Sequence, residues 1–405
     1  MKILFVTTHP PFPPVDGVRI PAAAHLLALK AEHSVDVLLL KCPAMPYSEA
    51  DYLETQKHVE NVYEVQMRAL PSLGAFAREA FLGEPYYGRW RFDAPIPTEI
   101  ASSSYDIVWC ATTPATAAVA TPAVRKWLKA PLYIAGTSDV FSLVLQGKLH
   151  QPNRSKKGSF VRLILKCLTT ARMVLLKRAE RKMIGTYDMT TVQSEREREW
   201  INRIDEKLDE RLLVLPNGVE SSLLEMPISR DRKTVVFVGL LTEFYRERIS
   251  WFLENAWPAI KRAHPDASVT VVGRGAGETL KQYFVLNDVS YVPFVEELSD
   301  VYKDQAILVA PIFKGYGIIN KVLEAMASGV LVVGDSTAYN GIPEFVDGVH
   351  GLVAEEAEDF AEQVIKGFDS QVLLESVRVD ARALMRKHFS WAARGEELNK
   401  RISEL

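Results

Sequence analysis

Asn320, Lys321 and Glu324 stand close together behind Gly315 and Gly317 in the stretch "FKGYGIINKVLEAMASG". An amide, an ammonium and a carboxylate at the head of one helix are a set that can hold a phosphorylated ribose. The two glycines bracket Tyr316 and let the backbone come close to a ligand. Unpaired N–H groups and the dipole at the helix start favour an anion. A carboxylate further along the same face can accept two hydrogen bonds from a pair of hydroxyls. The competing reading is an exposed Lys321–Glu324 helical ion pair worth a few tenths of a kcal/mol.

Three further loops follow apolar runs and carry glycine or arginine. In "FVGLLTEFYRERISWFL" Gly239 ends a strand, and Arg246 and Arg248 fall where the loop becomes a helix. A guanidinium fork there can bind two phosphate oxygens at once, or else simply be solvated. In "VVGRGAGE" Gly273, Gly275 and Gly277 follow a strand, yet Glu278 stands where a dinucleotide fingerprint requires its third glycine. Arg274 remains placed to meet an anion. In "THPPFPPVDGVRIPAAAHLLAL" Gly17 precedes a helix, where it serves either a turn or a phosphate.

The elements that must position these residues are legible as short Val/Ile/Leu runs alternating with amphipathic segments. "KILFVTT", "VDVLLL", "VYEVQM", "YDIVWCA", "PLYIAG", "MTTVQS" and "RLLVLPNG" are the strands of the first half. "TVVFVGLL", "SVTVVG", "SYVPF", "AILVAPI", "GVLVVGD" and "GLVA" are those of the second. Such runs suit parallel strands covered on both faces, so two doubly wound α/β domains of about six strands each are expected. The first domain is read over 1–215, a linker over 216–233, the second domain over 234–385 and a terminal helix over 386–405. Ligands of such sheets lie beyond the carboxyl ends of the strands.

Composition narrows the classes. The 405 residues are 48% apolar and 24% charged with a net charge of -3, which argues against nucleic acid as a partner. Cys42, Cys110 and Cys167 share no metal-ligand spacing and cannot all pair, which points to a reduced, cytoplasmic setting. The N-terminal "MKILFVTTHPP" reads as a first buried strand rather than a signal peptide. No stretch approaches the roughly 20 apolar residues that span a bilayer.

Taken in order, these segments resemble the retaining glycosyltransferases of family 4, which have the GT-B fold. "LLKRAERKMIGTYDMTTVQSEREREWI" followed by "LLVLPNGVE" carries the resemblance in the first half, through Glu180, Asp188, Ser194 and Pro216 to Val219. "VVFVGLL", "VVGRGAGE", "VLEAMASGVLVV" and "NGIPEFVDGVHGLV" carry it in the second, and "HFSWAARGEEL" resembles a terminal helix that crosses back to the first domain. The resemblance implies two Rossmann-like domains facing across a cleft. It implies a nucleotide-sugar donor on the second domain, a saccharide or lipid-linked acceptor on the first, and neither metal nor cofactor. Carried over by position, Glu324 holds the donor ribose, amides around Gly17 and Gly317 contact the diphosphate, and Arg246 or Arg248 supplies positive charge. Gly239, Arg274, Gly315, Tyr316 and Asn320 belong to the donor side, and Lys321 joins Arg246 and Glu324 as catalytic.

Two positions depart from that pattern. Tyr316 stands where many members carry a further glutamate; a branch acting on exported polysaccharides has a similar Gly-x-Gly loop with a lysine. "DIVWCATTP" has no histidine after its strand, so only His9 and Asp139, by their strand-end places, are assigned to the acceptor side. A nucleotide-sugar 2-epimerase and a non-catalytic nucleotide-sugar-binding relative are the rival readings.

From Arg154 to Lys182 there are ten Lys/Arg and one acidic residue. On a helix Arg162, Lys166, Lys177 and Arg181 share a side, which would suit peripheral contact with the inner face of a membrane. An interior helix with a solvated basic edge is the alternative.

Overall fold

The computed structural model describes residues 1–43, 45–72, 74, 79, 90–92, 96–136, 140–149, 159–227, 233–313 and 318–405. The chain divides into two compact units, Met1–Leu215 with Gly395–Leu405, and Pro216–Arg394.

In the first unit the described strands are β1 (Lys2–Thr7), β2 (Ser34–Lys41), β3 (Val62–Ala69), β4 (Trp90–Phe92), β5 (Ile107–Cys110), β6 (Leu132–Gly136), β7 (Met189–Val192) and β8 (Leu212–Val214). They form one sheet in the order β4-β3-β2-β1-β5-β6-β7-β8, parallel except for β4, which runs antiparallel to β3. The sheet is therefore wider than the six strands expected, and its edge strand "WRF" is too short to show as an apolar run. Burial of both faces explains the strand composition. Ile3 and Phe5 pack with Leu26 and Leu398 on one side, while Leu4 and Val6 pack with Val108 and Tyr187 on the other.

The Trp391–Ser403 helix begins in the second unit and ends in the first. Gly395 is required there, because a Cβ would come 2.9 Å from that of Ala28. Asn399 then donates to the Ala28 carbonyl at 2.9 Å and to Glu32 at 3.0 Å. Leu398 and Ile402 complete the apolar contact.

In the second unit β9 (Thr234–Val238), β10 (Ser268–Val272), β11 (Val289–Val292), β12 (Ile307–Ala310), β13 (Leu331–Gly334) and β14 (Leu352–Val353) form a parallel sheet in the order β11-β10-β9-β12-β13-β14. The order reverses between β9 and β12, and a crevice at such a switch point is where open α/β sheets take ligands. The segment read as a linker contributes to this unit's core, since Val219, Leu223, Leu224 and Met226 are buried there.

Candidate functional site

The carboxyl edge of β9 and β12 gathers most of the residues singled out in the second half. The Asn320–Ser328 helix follows β12 and is closed by Gly329, whose φ of 70° is the left-handed conformation that glycine adopts without strain. Its inner face is Val322, Leu323, Ala325, Met326 and Ala327, all buried. That packing fixes which side chains remain for chemistry: Asn320, Lys321 and Glu324.

Lys321 and Glu324 are not the exposed ion pair of the alternative reading. The Lys321 ammonium donates to the Val238 carbonyl oxygen at 2.6 Å and lies 3.7 Å over the Tyr245 ring. Burial pushes this ammonium down to about 7, against the charge of Glu324, which favours the protonated form. Glu324 accepts from the buried Tyr302 hydroxyl at 2.8 Å. Its own burial pushes the carboxyl up, while the Tyr302 hydrogen bond and the Lys321 charge oppose this. Tyr302 carries no signal in the sequence beyond its place in an ordinary amphipathic segment, "LSDVYKD".

Gly239 is the floor under Lys321. A Cβ at this position would lie 3.0 Å from the lysine nitrogen. Gly273 has a different duty: its φ is 144°, and a Cβ would fall 1.9 Å from the Gly239 carbonyl oxygen. The two loops are then laced by Gly239 N–H to Val272 and Leu241 N–H to Arg274. The glycines of "VVGRGAGE" thus let two strand ends pack, and the exposed Arg274 stacks 4.5 Å from the Phe294 ring.

The two arginines after β9 diverge. Arg248 is half-buried, 4.9 Å over the Phe313 ring. Burial lowers its guanidinium, with the charges of Glu247 and Asp335 acting the other way. Arg246, in the first turn of the Glu243–Asn255 helix, is exposed. Asn320 is exposed and accepts from the Asn217 side chain at 3.1 Å. This explains the Pro216 to Val219 turn: Asn217 ties to the helix start, and Gly218 leaves room for the Trp391 indole, 2.6 Å from where a Cβ would sit. Gly315, Tyr316, Gly317 and Asp139 lie outside the described residues.

In the first unit His9 follows β1 at the corresponding switch point, between β1 and β5. Its Nδ1 is 3.1 Å from the Thr8 hydroxyl, which in turn lies 3.1 Å from that of Thr112 across the strands. Burial lowers its pKa, Asp16 raises it, and Arg19 lowers it. Gly17 is exposed and a Cβ there would meet nothing within 4 Å, so crowding does not demand a glycine. Asp16 accepts from the N–H groups of Val18 and Arg19 at 2.9 Å and opens the helix instead.

In the basic stripe Lys177 lies 4.3 Å over the Trp200 ring, and Arg181 pairs with Asp205 at 2.6 Å. The side chains of Arg162 and Lys166 lie outside the described residues. Among the described residues, no helix is long and apolar enough to cross a membrane, and no group of three or more His, Cys, Asp or Glu could hold a metal ion.

Residues 232–369, which contain this edge, match the family model described as "Glycosyl transferases group 1". Over its whole length the chain resembles Anabaena HepE crystallised with UDP, at 14% identity, a TM-score of 0.65 and 100% coverage of both chains. It resembles the sucrose-phosphate synthase of Thermosynechococcus elongatus at 14% identity and a TM-score of 0.65, covering 100% of this chain and 99% of that one. The fold is GT-B. A GT-B lipopolysaccharide outer core galactosyltransferase, WaaB, is similar at 14% identity, with a TM-score of 0.62 and full coverage of both chains. An uncharacterized 44.6 kDa protein from the cps region of Klebsiella pneumoniae is 29% identical over 116 residues, 26% of this chain. That match spans 30% of the relative's length.

Proposed function

We propose that this GT-B protein is a retaining, metal-independent glycosyltransferase of family 4. It moves a sugar from a nucleotide-sugar donor to a saccharide or lipid-linked acceptor at the cytoplasmic face of the membrane, in polysaccharide biosynthesis. One observation carries the reading: Lys321 and Glu324 stand one helical turn apart at the switch point of β9 and β12, each held by a neutral partner. In this reading the Glu324 carboxylate accepts the donor ribose hydroxyls. Lys321, with Arg246, neutralises charge on the diphosphate as its bond to the sugar breaks. Arg274, Asn320 and the backbone about Gly315, Tyr316 and Gly317 line the remainder of the donor site. The match of residues 232–369 to the group 1 glycosyl transferases supports the reaction class. The HepE complexes with UDP and with UDP-glucose favour a uridine nucleotide as the first donor to try. The partial likeness to a cps-region protein points to the polysaccharide branch.

Incubation with UDP-, GDP-, ADP- and dTDP-sugars, with saccharide and lipid-linked acceptors, tests this. Release of nucleoside diphosphate with an unchanged anomeric configuration, read by proton NMR of the product, is expected. An epimerised sugar would replace the reading with a 2-epimerase, and binding without turnover would replace it with a carrier.

A further inference from the structure

Tyr302 closes the 298–302 helix, 22 residues before Glu324, and its ring is buried to 1%. Its hydroxyl lies 2.8 Å from Glu324 Oε2 and 3.4 Å from the Lys321 carbonyl oxygen. A phenol has one proton to give, and a carboxylate at the shorter distance takes it in preference to a peptide carbonyl. Nothing about filling the core needs that oxygen, since phenylalanine has the same ring. The oxygen is spent on a carboxylate that is itself only half-buried.

A carboxylate that binds two neighbouring hydroxyls must keep lone pairs free on both oxygens and must not rotate. Of about four acceptor sites, one is taken by Tyr302, and the bond fixes the plane of the rest. We propose that Tyr302 is a positioning residue whose O–H orients the Glu324 carboxylate for the vicinal hydroxyls of a donor ribose. This rests on the assignment of Glu324 to the ribose given above.

The charged surroundings of Glu324 make the idea testable by pH. Lys321 faces it from the same helix and Tyr302 from the 298–302 helix. Arg382, on the Gln371–Leu384 helix, is engaged at the far end with the carbonyls of Ala327 and Ser328. Arg386 is engaged with the Leu224 carbonyl. Removing the Tyr302 O–H takes away one of the two influences that keep the carboxyl ionised, and a protonated carboxyl accepts fewer hydroxyl bonds.

The experiment compares the tightest-binding of UDP, GDP and ADP with its 2′,3′-dideoxy form, by titration calorimetry on the full chain. Wild type should prefer the ribose form by roughly tenfold or more, the usual size of a hydrogen bond to a charged group. Glu324→Ala should lose that preference. Tyr302→Phe should lose about threefold or more of it at neutral pH and regain part as the pH rises, with the dideoxy affinity unchanged. In a Glu324→Ala background the Tyr302→Phe change should have no further effect on the preference. Tyr302→Phe that keeps the full preference while Glu324→Ala loses it would overturn the positioning role and leave the ribose reading standing. Equal weakening of both ligands would reduce Tyr302 to packing and overturn the proposal too. A preference that survives Glu324→Ala, or no wild-type binding of any of the three, would remove both the proposal and the reading beneath it.

Discussion

The Lys321 ammonium and the Val238 carbonyl oxygen are 2.6 Å apart, joining the first turn of a helix to the end of a strand 83 residues earlier. The lysine's other close partner, the Tyr245 ring, is also neutral. An ammonium pushed down to about 7 by burial is only partly charged at neutral pH. An anionic diphosphate beside it would draw the proton back. Nucleoside diphosphate binding is therefore expected to take up close to half a proton near pH 7, seen as a dependence of the calorimetric enthalpy on the buffer's ionisation enthalpy. Lys321→Met should abolish the uptake and weaken binding by about tenfold or more.

The same lysine has a cost in stability with a definite sign. Its pKa is near 10.5 when unfolded and about 7 when folded, so between these values the unfolded chain holds a proton that the folded one has shed. Stability from this group rises with pH across that window. Lys321→Met should raise the free energy of unfolding at pH 6 by about 1 kcal/mol, measured by urea denaturation, and the gain should shrink by pH 9. A gain that grew with pH would contradict the assignment.

Gly239→Ala and Gly273→Ala separate the site from its scaffold. At Gly239 the added methyl meets the mobile end of Lys321, so activity should fall with little change in stability. At Gly273 it meets the Gly239 carbonyl oxygen from a backbone at φ 144°. That variant should lose roughly 2–4 kcal/mol, measured by urea denaturation.

Arg246 and Arg248 should likewise part. Arg246→Ala, at an exposed position, is expected to lower kcat/KM with an unchanged melting temperature. Arg248→Ala removes a cation–π contact over Phe313 and should cost about 1 kcal/mol of stability. The reverse pattern would make Arg248 the phosphate ligand.

Glu180 governs a pH dependence in the first unit. It accepts from the Ser142 N–H at 3.0 Å, and burial pushes its carboxyl up to about 7. Between pH 4.5 and 7 the folded carboxyl keeps a proton that the unfolded chain has shed, so its stabilising term is full at low pH and lost as pH rises through that window. Glu180→Gln keeps an acceptor for Ser142 and should flatten this part of the stability profile in denaturation curves.

What can be read from residue order alone is local. Apolar runs covered on both faces wrote out the strands of both sheets except β4, because burial demands Val, Ile and Leu whatever lies around them. The glycine after Ser328 announced the helix end for the same kind of reason, a backbone conformation that other residues resist. Asn320, Lys321 and Glu324 were legible as a polar face for the simple reason that 3.6-residue periodicity exposes it. The tertiary structure decided who meets whom. Lys321 turns to Val238 and Tyr245 rather than to Glu324, Glu324 to Tyr302, and Lys177 to Trp200 rather than outward. These partners lie between 22 and 83 residues away along the chain. Periodicity records which face of an element is buried, whereas the group that waits on the other side is set by how distant elements pack.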